Sequence, residues 1–495
     1  MKYSALAYQQ LSSYERLKMT PHALDWEHEP AVYKKYPGKK VLDIPLEVKL
    51  EPSSFFELLQ QQGNQAQNLS LSLEVLGQLL LLTQMLTGRA QHANGEIWFR
   101  SIASAGALYP SELYVACPGV AGLAAGIYHY DISKPALVLI RSGNPLPEVG
   151  GDTVSSKPVL TFLISSIFFR SAWKYRDRAY RYHLLDSGHL LENLLLALRS
   201  FSSVYEVNID FDDLRINEML GVDPLREGCL ALVKVPLRNP AGVKTVGPLA
   251  SAGELPRSSQ VAAREEMYAA VRDIHQASTP VMPRQECRVG DWLRYGLFDE
   301  NAWKSIPAPM PANEVYRYPE VLLRRRSKRN FISRKPMSVA SLSAMISLLN
   351  EGFESCSLAD KGLSSGLLVG NVAEMEPGFY AVKSDSRSLA LATAGNFLGH
   401  MSHVCLDQRW LAQAAVHILL FADLKEIENC AGARGYREVM LAAGRLGQRL
   451  YLGATALGLG CCGIGAFYDR EAIELIGMPD QDSLLYLLAV GQVKK

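Results

Sequence analysis

Three kinds of feature are missing from this sequence of 495 residues. It has eight cysteines but no Cys-x-x-Cys pair and no His/Cys cluster at zinc spacing, so neither a disulfide framework nor a metal site is expected. It has no long apolar run. The stretches "LLLLTQML" and "AVHILLFA" are too short to span a bilayer, and the opening "MKYSALAYQQLSSYERLK" lacks an apolar core of signal-peptide length. It has no excess of charge either: 51 Lys and Arg face 50 Asp and Glu, which removes global attraction to nucleic acid or anionic membranes. The expectation is a protein of the reducing cytoplasm with no metal, membrane or nucleic-acid partner. The adjacent Cys461 and Cys462 read as small apolar packing residues.

What is present is an internal repeat. "DRAYRYHLLDSGHLLENLLLAL" and "GARGYREVMLAAGRLGQRLYLGA" align at a constant offset of 256, pairing Arg178 with Arg434, Tyr180 with Tyr436, Arg181 with Arg437 and Gly188 with Gly444. Each follows an apolar strand-like run, "VLTFLISSIFF" or "AVHILLFAD", and each reads as a long buried helix. Each precedes a polar helix start and a late strand, ending in "CLALVKVPL" or "LLYLLAVGQV". Upstream, "SLEVLGQLLLLTQMLTG" matches "SVASLSAMISLLNEG", both opening on a serine at an N-cap position. The chain therefore divides into two α+β copies, residues 1–245 and 316–495. The intervening 246–315, rich in Pro, Ala and Ser, reads as a surface connector with one helix over "QVAAREEMYAAVRDIHQA".

Four stretches offer chemistry. In "RRRSKRNF" the side chains of Arg325, Ser327 and Arg329 alternate to one side of an extended segment, with Arg326 between them. Two guanidiniums and a hydroxyl suit a phosphate monoester; a solvated basic run has the same composition. "RSIASAGALYPSELYVA" places small Ser104, Ala105 and Gly106 where a flat ring could approach the backbone, or where an ordinary turn precedes a strand. "SAWKYRDRAYRY" sets Lys174 beside Tyr175 among arginines, whose field favours acid–base work; a basic helix flank is the alternative. "GLGCCGIGAFYD" supplies a glycine-rich helix-to-strand loop, which is not the strand-to-helix setting of a dinucleotide fingerprint. His129, His183, His189 and His417 read as packing or capping residues.

Together these pieces resemble the nitroreductase superfamily, and more closely its SagB-type dehydrogenase branch. The resemblance rests on "ALDWEHEPAVYKKYPG", "SAGALYPSELYV", "GIYHYD" and "WKYRDRAYRYHLLDSGH" in the first copy. In the second it rests on "RRSKRNF", "GARGYREVMLAAGRLGQRLYLGATALGLG" and "GIGAF". It implies an FMN enzyme whose domains pair around long helices, with tandem domains here forming an intrachain pseudo-dimer. By that resemblance Arg325, Arg326, Ser327 and Arg329 hold the FMN phosphate, while Ser104, Ala105, Gly106, Gly465 and Ala466 frame the flavin ring. Gln408 stands where relatives turn an amide or lysine toward the flavin. Lys174 and Tyr175 map onto the catalytic pair of azoline oxidases.

The two copies depart from the pattern in complementary ways. The second has Cys430 and Ala431 in place of the Lys-Tyr pair, and at best "GLSSG" for the Ser-Ala-Gly segment. The first has "QQGNQ" (Gln61 to Gln65) for the phosphate motif and "VNIDF" for "GIGAF". One working FMN site per chain is implied, since a phosphate dianion buried without charge compensation is costly. The implied reaction oxidises thiazoline or oxazoline rings of a ribosomally made peptide to azoles, with a cyclodehydratase complex as a partner and further oligomerisation left open. Two rivals stand beside it: an NAD(P)H-dependent nitro- or quinone reductase, and a non-catalytic flavin-binding scaffold.

Overall fold

A computed structural model of the chain describes residues 4–19, 22–60, 66–92, 95–120, 122–145, 158–238, 247–279, 302–307, 313–350, 353, 362–383, 388–480 and 482–494. The chain forms two compact units. The first-copy unit comprises Ala23–Glu51 and Gln61–Val281; the second-copy unit comprises Met1–His22, Pro52–Gln60 and Met282–Lys495. The segments 1–22 and 52–60 thus pack with the second copy, unlike the contiguous 1–245 and 316–495 read from the repeat.

In the first-copy unit the strands are β1 (Lys40–Asp43), β2 (Leu86–His92), β3 (Gly95–Arg100), β4 (Ser111–Cys117) and β5 (Gly126–Asp131). They continue with β6 (Ala136–Ser142), β7 (Val159–Ile167), β8 (Glu206–Asn208) and β9 (Glu227–Pro236). Seven form an antiparallel sheet of order β1-β6-β5-β4-β7-β9-β8, and β2 pairs with β3 apart from it. In the second-copy unit the strands are β10 (Lys304–Ser305), β11 (Leu363–Val369), β12 (Gly378–Val382) and β13 (Ser388–Ala394). After them come β14 (Val416–Asp423), β15 (Gly460–Ile464) and β16 (Asp482–Gly491). Their order, β10-β13-β12-β11-β14-β16-β15, is that of the first sheet strand for strand. The repeat seen in sequence is therefore a repeat of topology.

Local chemistry sets the helices. Ser72 and Ser338 accept from the amides of Val75 and Ser341 and start the helices Leu73–Thr83 and Val339–Ser347. Asp423 caps the helix Leu424–Ala456 through Lys425 and Glu426. That helix breaks at Gly432 (φ 61°), and 256 residues earlier Arg176 (φ 48°) separates the helix Phe168–Tyr175 from Ala179–Ser200. Both long helices are almost wholly buried. Equivalent side chains fill equivalent cores: Leu163 and Phe211 in one unit, Leu419 and Phe467 in the other.

Two expectations need correction. The helix expected over 260–277 covers only Ala269–Ala277, because the Glu265 carboxylate accepts from the amides of Val261 and Ala262 and ties that stretch into a turn. It is no surface connector: Ala270, Val271 and Ile274 are buried, and His275 packs its ring on Phe168 and Tyr180. In the second-copy unit, the helix Ala5–Leu11 lies on the long helix through Tyr8 against Tyr436, whose hydroxyl donates to Gln9. Glu314 caps the helix Phe55–Gln60 through Ser54 and the amides of Phe55 and Phe56. Among the described residues, no helix is long and apolar enough to cross a membrane.

Candidate functional site

The predicted site residues fall into two groups, one in each unit. In the first-copy unit, Lys174 and Tyr175 end the helix Phe168–Tyr175 and are half-buried. Trp173, just before them, is buried and donates its indole N–H to the Asp25 carbonyl at 2.8 Å. Tyr175 lies against Tyr182 with ring centroids 4.3 Å apart, and Lys174 Nζ stands 5.7 Å from the Tyr175 ring. The Ser104–Gly106 segment meets this pair. A Cβ on Gly106 would lie 2.8 Å from the Tyr175 hydroxyl and 3.3 Å from Lys174 Nζ, so a larger residue there would push on the tips of both side chains. Gly106 is exposed and adopts φ 64°.

The segment is wound tightly. Besides Gly106, Ala107 (φ 57°) and Tyr109 (φ 46°) are left-handed, a conformation that costs a residue with a Cβ and persists only where its surroundings hold it. Tyr109 is held on several sides. Its hydroxyl accepts from the Arg100 amide, its ring lies under the Arg100 guanidinium, and its carbonyl accepts from Arg170. On the other side stands a residue that sequence reasoning missed. The buried Asp186 accepts from Ser104 Oγ at 2.5 Å and from the Ala105 amide at 3.3 Å, while Ser104 Oγ accepts from the Tyr109 amide at 2.9 Å. Burial pushes the Asp186 carboxyl up to about 7, against the pull of those two donors.

In the second-copy unit, residues 325–329 run beside β15: Ser327 bridges Cys461, and the Lys328 amide donates to the Cys461 carbonyl. Tyr451, on the long helix, is the hub. Its ring lies 5.5 Å from the Arg325 guanidinium, its hydroxyl bonds Ser327 Oγ at 3.0 Å, and it accepts from the Gly463 amide at 2.6 Å. Arg325 is buried. Arg329 lies over Trp410; the charges of both arginines pull the Cys462 thiol down, yet burial keeps it above its ordinary value. Gly465 and Ala466 follow β15, half-buried. Arg326 departs from the pattern, since its guanidinium also turns back to the carbonyls of Leu323 and Arg325. The Gln408 side-chain amide donates to the Cys405 carbonyl at 2.8 Å. Two guanidiniums, a hydroxyl and a glycine loop in one place make a donor set that fits a phosphate monoester.

A nitroreductase-family model matches residues 322–492. The crystal structure of a nitroreductase-like protein from Anabaena variabilis superposes with a TM-score of 0.78 at 23% identity, covering 99% of both chains. Residues 322–492 are thus a nitroreductase-family domain, and the chain as a whole has the fold of the Anabaena protein. A nitroreductase-like protein of Methanocaldococcus jannaschii is 29% identical over 191 residues, 37% of this chain and 94% of that one. The trifolitoxin-processing protein TfxB of Rhizobium leguminosarum bv. trifolii is 28% identical over 171 residues, 32% of this chain and 46% of TfxB. The nitroreductase family is one of oxidoreductases, and the sheet topology of the matched domain occurs twice in this chain.

The signal for the missed residues was in the repeat. At the offset of 256, Asp186 faces Ala442 and Tyr451 faces Leu195. Each polar residue stands only in the copy whose candidate segment it touches. The "GLSSG" stretch lies at the start of β11, the counterpart of β4, so it is not the second copy's Ser-Ala-Gly segment; that position falls outside the described residues. Gln61 to Gln65 also lie outside them. The four histidines of the sequence reading are buried. His129 bonds Glu112, and burial pushes His183 and His417 down to about 3 and about 4.

Proposed function

We propose that this chain is an FMN-dependent oxidoreductase of SagB type, oxidising thiazoline or oxazoline rings of a ribosomally made peptide to azoles. The observation that carries the reading is the seating of Lys174 and Tyr175 on the exposed Gly106, in a segment where a flat ring can reach the backbone. A general reductase of external substrates needs no paired acid and base beside that segment. The likeness to a toxin-processing protein supports a place in the maturation of a larger product.

FMN, when bound, would supply a two-electron acceptor for the hydride that leaves a ring carbon. The protein does the rest. Arg325, Ser327 and Arg329 would hold the phosphate, with Arg326 contributing less. Ser104 to Gly106 in the first copy would frame the flavin ring; Gly465, Ala466 and Gln408 are the second copy's candidates for that role. Tyr175 and Lys174 take the proton from the neighbouring ring carbon, the lysine ammonium stabilising the phenolate form of its neighbour. A cyclodehydratase that forms the azoline ring is the partner this chemistry requires upstream. We place the protein in the cytoplasm, with one FMN per chain.

The test is product analysis. FMN-loaded protein incubated with an azoline-bearing peptide should remove two hydrogens per ring, read as a mass loss. The likeness to the Methanocaldococcus protein favours a second reading, a nitro- or quinone reductase using NAD(P)H. An unchanged peptide mass together with rapid NADPH-driven reduction of a nitroarene would establish that reading instead.

A further inference from the structure

The helix Ala179–Ser200 carries a carboxyl that the proton-transfer chemistry does not use. Asp186 is 4% exposed, and its oxygens are directed at the turn Ser104–Tyr109. A buried carboxyl with no cationic partner among its hydrogen bonds is an expensive choice for a helix that could carry an apolar residue. The second copy makes the cheaper choice. Its equivalent position is Ala442, buried in the same register of its own long helix. The fold does not need a carboxylate there.

The turn that the carboxyl grips is tightly wound. Gly106, Ala107 and Tyr109 are all left-handed, so the turn is strained and would relax if released. Arg100 and Arg170 hold its far end through Tyr109. Its near end is held by Asp186 through Ser104 Oγ and the Ala105 amide. Ser104 carries the constraint across the turn, donating to Asp186 while accepting from the Tyr109 amide. Gly106, between the two ends, is the residue that touches Tyr175 and Lys174.

We propose that Asp186 is a positioning residue: its carboxyl clamps the Ser104–Tyr109 turn so that Gly106 seats the Lys174–Tyr175 pair. The clamp rests on the reading of that pair as the proton-transfer groups, but its structural action can be measured without turnover. It acts through hydrogen bonds to Ser104 and Ala105 and makes no contact with substrate.

The experiment is amide hydrogen exchange by mass spectrometry on the full chain, with and without FMN, for the parent and for Asp186→Ala, Asp186→Asn and Ser104→Ala. Exchange of the Ala105 and Tyr109 amides should speed up by at least ~10-fold in Asp186→Ala, the size expected on losing one or two hydrogen bonds. Asp186→Asn, which keeps one acceptor, should fall between. Global melting should be unchanged or raised, because a costly buried carboxyl has gone. Titration of the Tyr175 phenol, isolated by difference against Tyr175→Phe, should shift in Asp186→Ala. Parent-rate exchange in Asp186→Ala would overturn the proposal. So would a uniform rise in exchange with a collapsed melting transition, if Ser104→Ala then left the turn at the parent rate. Failure of the Lys-Tyr reading has a separate signature: Lys174→Ala and Tyr175→Phe would reduce bound flavin at the parent rate, whatever the exchange of the turn.

Discussion

Replacing Arg325 by alanine tests the phosphate reading at its most buried point. The Arg325 backbone closes the helix Glu320–Arg324, donating its amide to the Val321 carbonyl, and that bond survives truncation. The side chain is 3% exposed and lies 5.5 Å from the Tyr451 ring, beside Ser327 and the start of the glycine loop. A charge-assisted bond to phosphate from such a site contributes roughly 1.5–3 kcal/mol. At 1.4 kcal/mol per tenfold, FMN should bind ~10–100-fold more weakly. The lost cation–π contact removes a further ~0.5–2 kcal/mol from the fold itself, so melting must be followed in parallel. The internal comparison is Arg326→Ala. That guanidinium donates to the Leu323 carbonyl at 3.0 Å and the Arg325 carbonyl at 2.7 Å, and its removal should cost FMN affinity no more than about 3-fold. Titration of apoprotein with FMN, followed by flavin fluorescence, measures both. Parent affinity in a folded Arg325→Ala protein, or equal losses in the two variants, would refute the assignment.

Three further outcomes are expected. Tyr451→Phe removes the hydroxyl shared by Ser327 and Gly463, worth roughly 1–3 kcal/mol, and should lower the melting temperature while loosening FMN. Apoprotein stability should fall as pH rises from about 4 to about 7 and then level off. The reason is that folded Asp186, raised to about 7, keeps its proton after the unfolded carboxyl has lost it. At roughly 1.4 kcal/mol per unit the effect is on the order of 4 kcal/mol as an upper bound, and urea titrations of Asp186→Asn should show that slope flattened. Flavin released from reconstituted protein should amount to one FMN per chain; two per chain would show that both copies hold a site.

Much of this fold was legible because it is written twice. The offset of 256 linked Arg178 to Arg434 and Gly188 to Gly444, and the two sheets proved to share one strand order. Periodicity and capping located the helices after Ser72 and Ser338. What stayed hidden depends on tertiary contact. No local pattern says that Tyr8 will pack on Tyr436, or that Glu314 will cap a helix starting at Phe55. The helix expected from Gln260 was shortened by one carboxylate, Glu265, which competes for its first amides. The candidate residues were visible as motifs, but their supports were not. Asp186 and Tyr451 each sit inside an apolar helical stretch, and only the matching Ala442 and Leu195 mark them as unusual.

The central claim is that Lys174 and Tyr175 move a proton while electrons pass from an azoline ring to bound FMN. Anaerobic mixing of the loaded protein with a thiazoline peptide, followed at the flavin absorbance, tests it most directly. The parent should bleach in a single exponential phase. Lys174→Ala and Tyr175→Phe should stay yellow, bleach normally with dithionite, and react with the peptide ~10²–10⁴-fold more slowly, the usual contribution of a positioned acid or base. Bleaching of both variants at the parent rate would contradict the account.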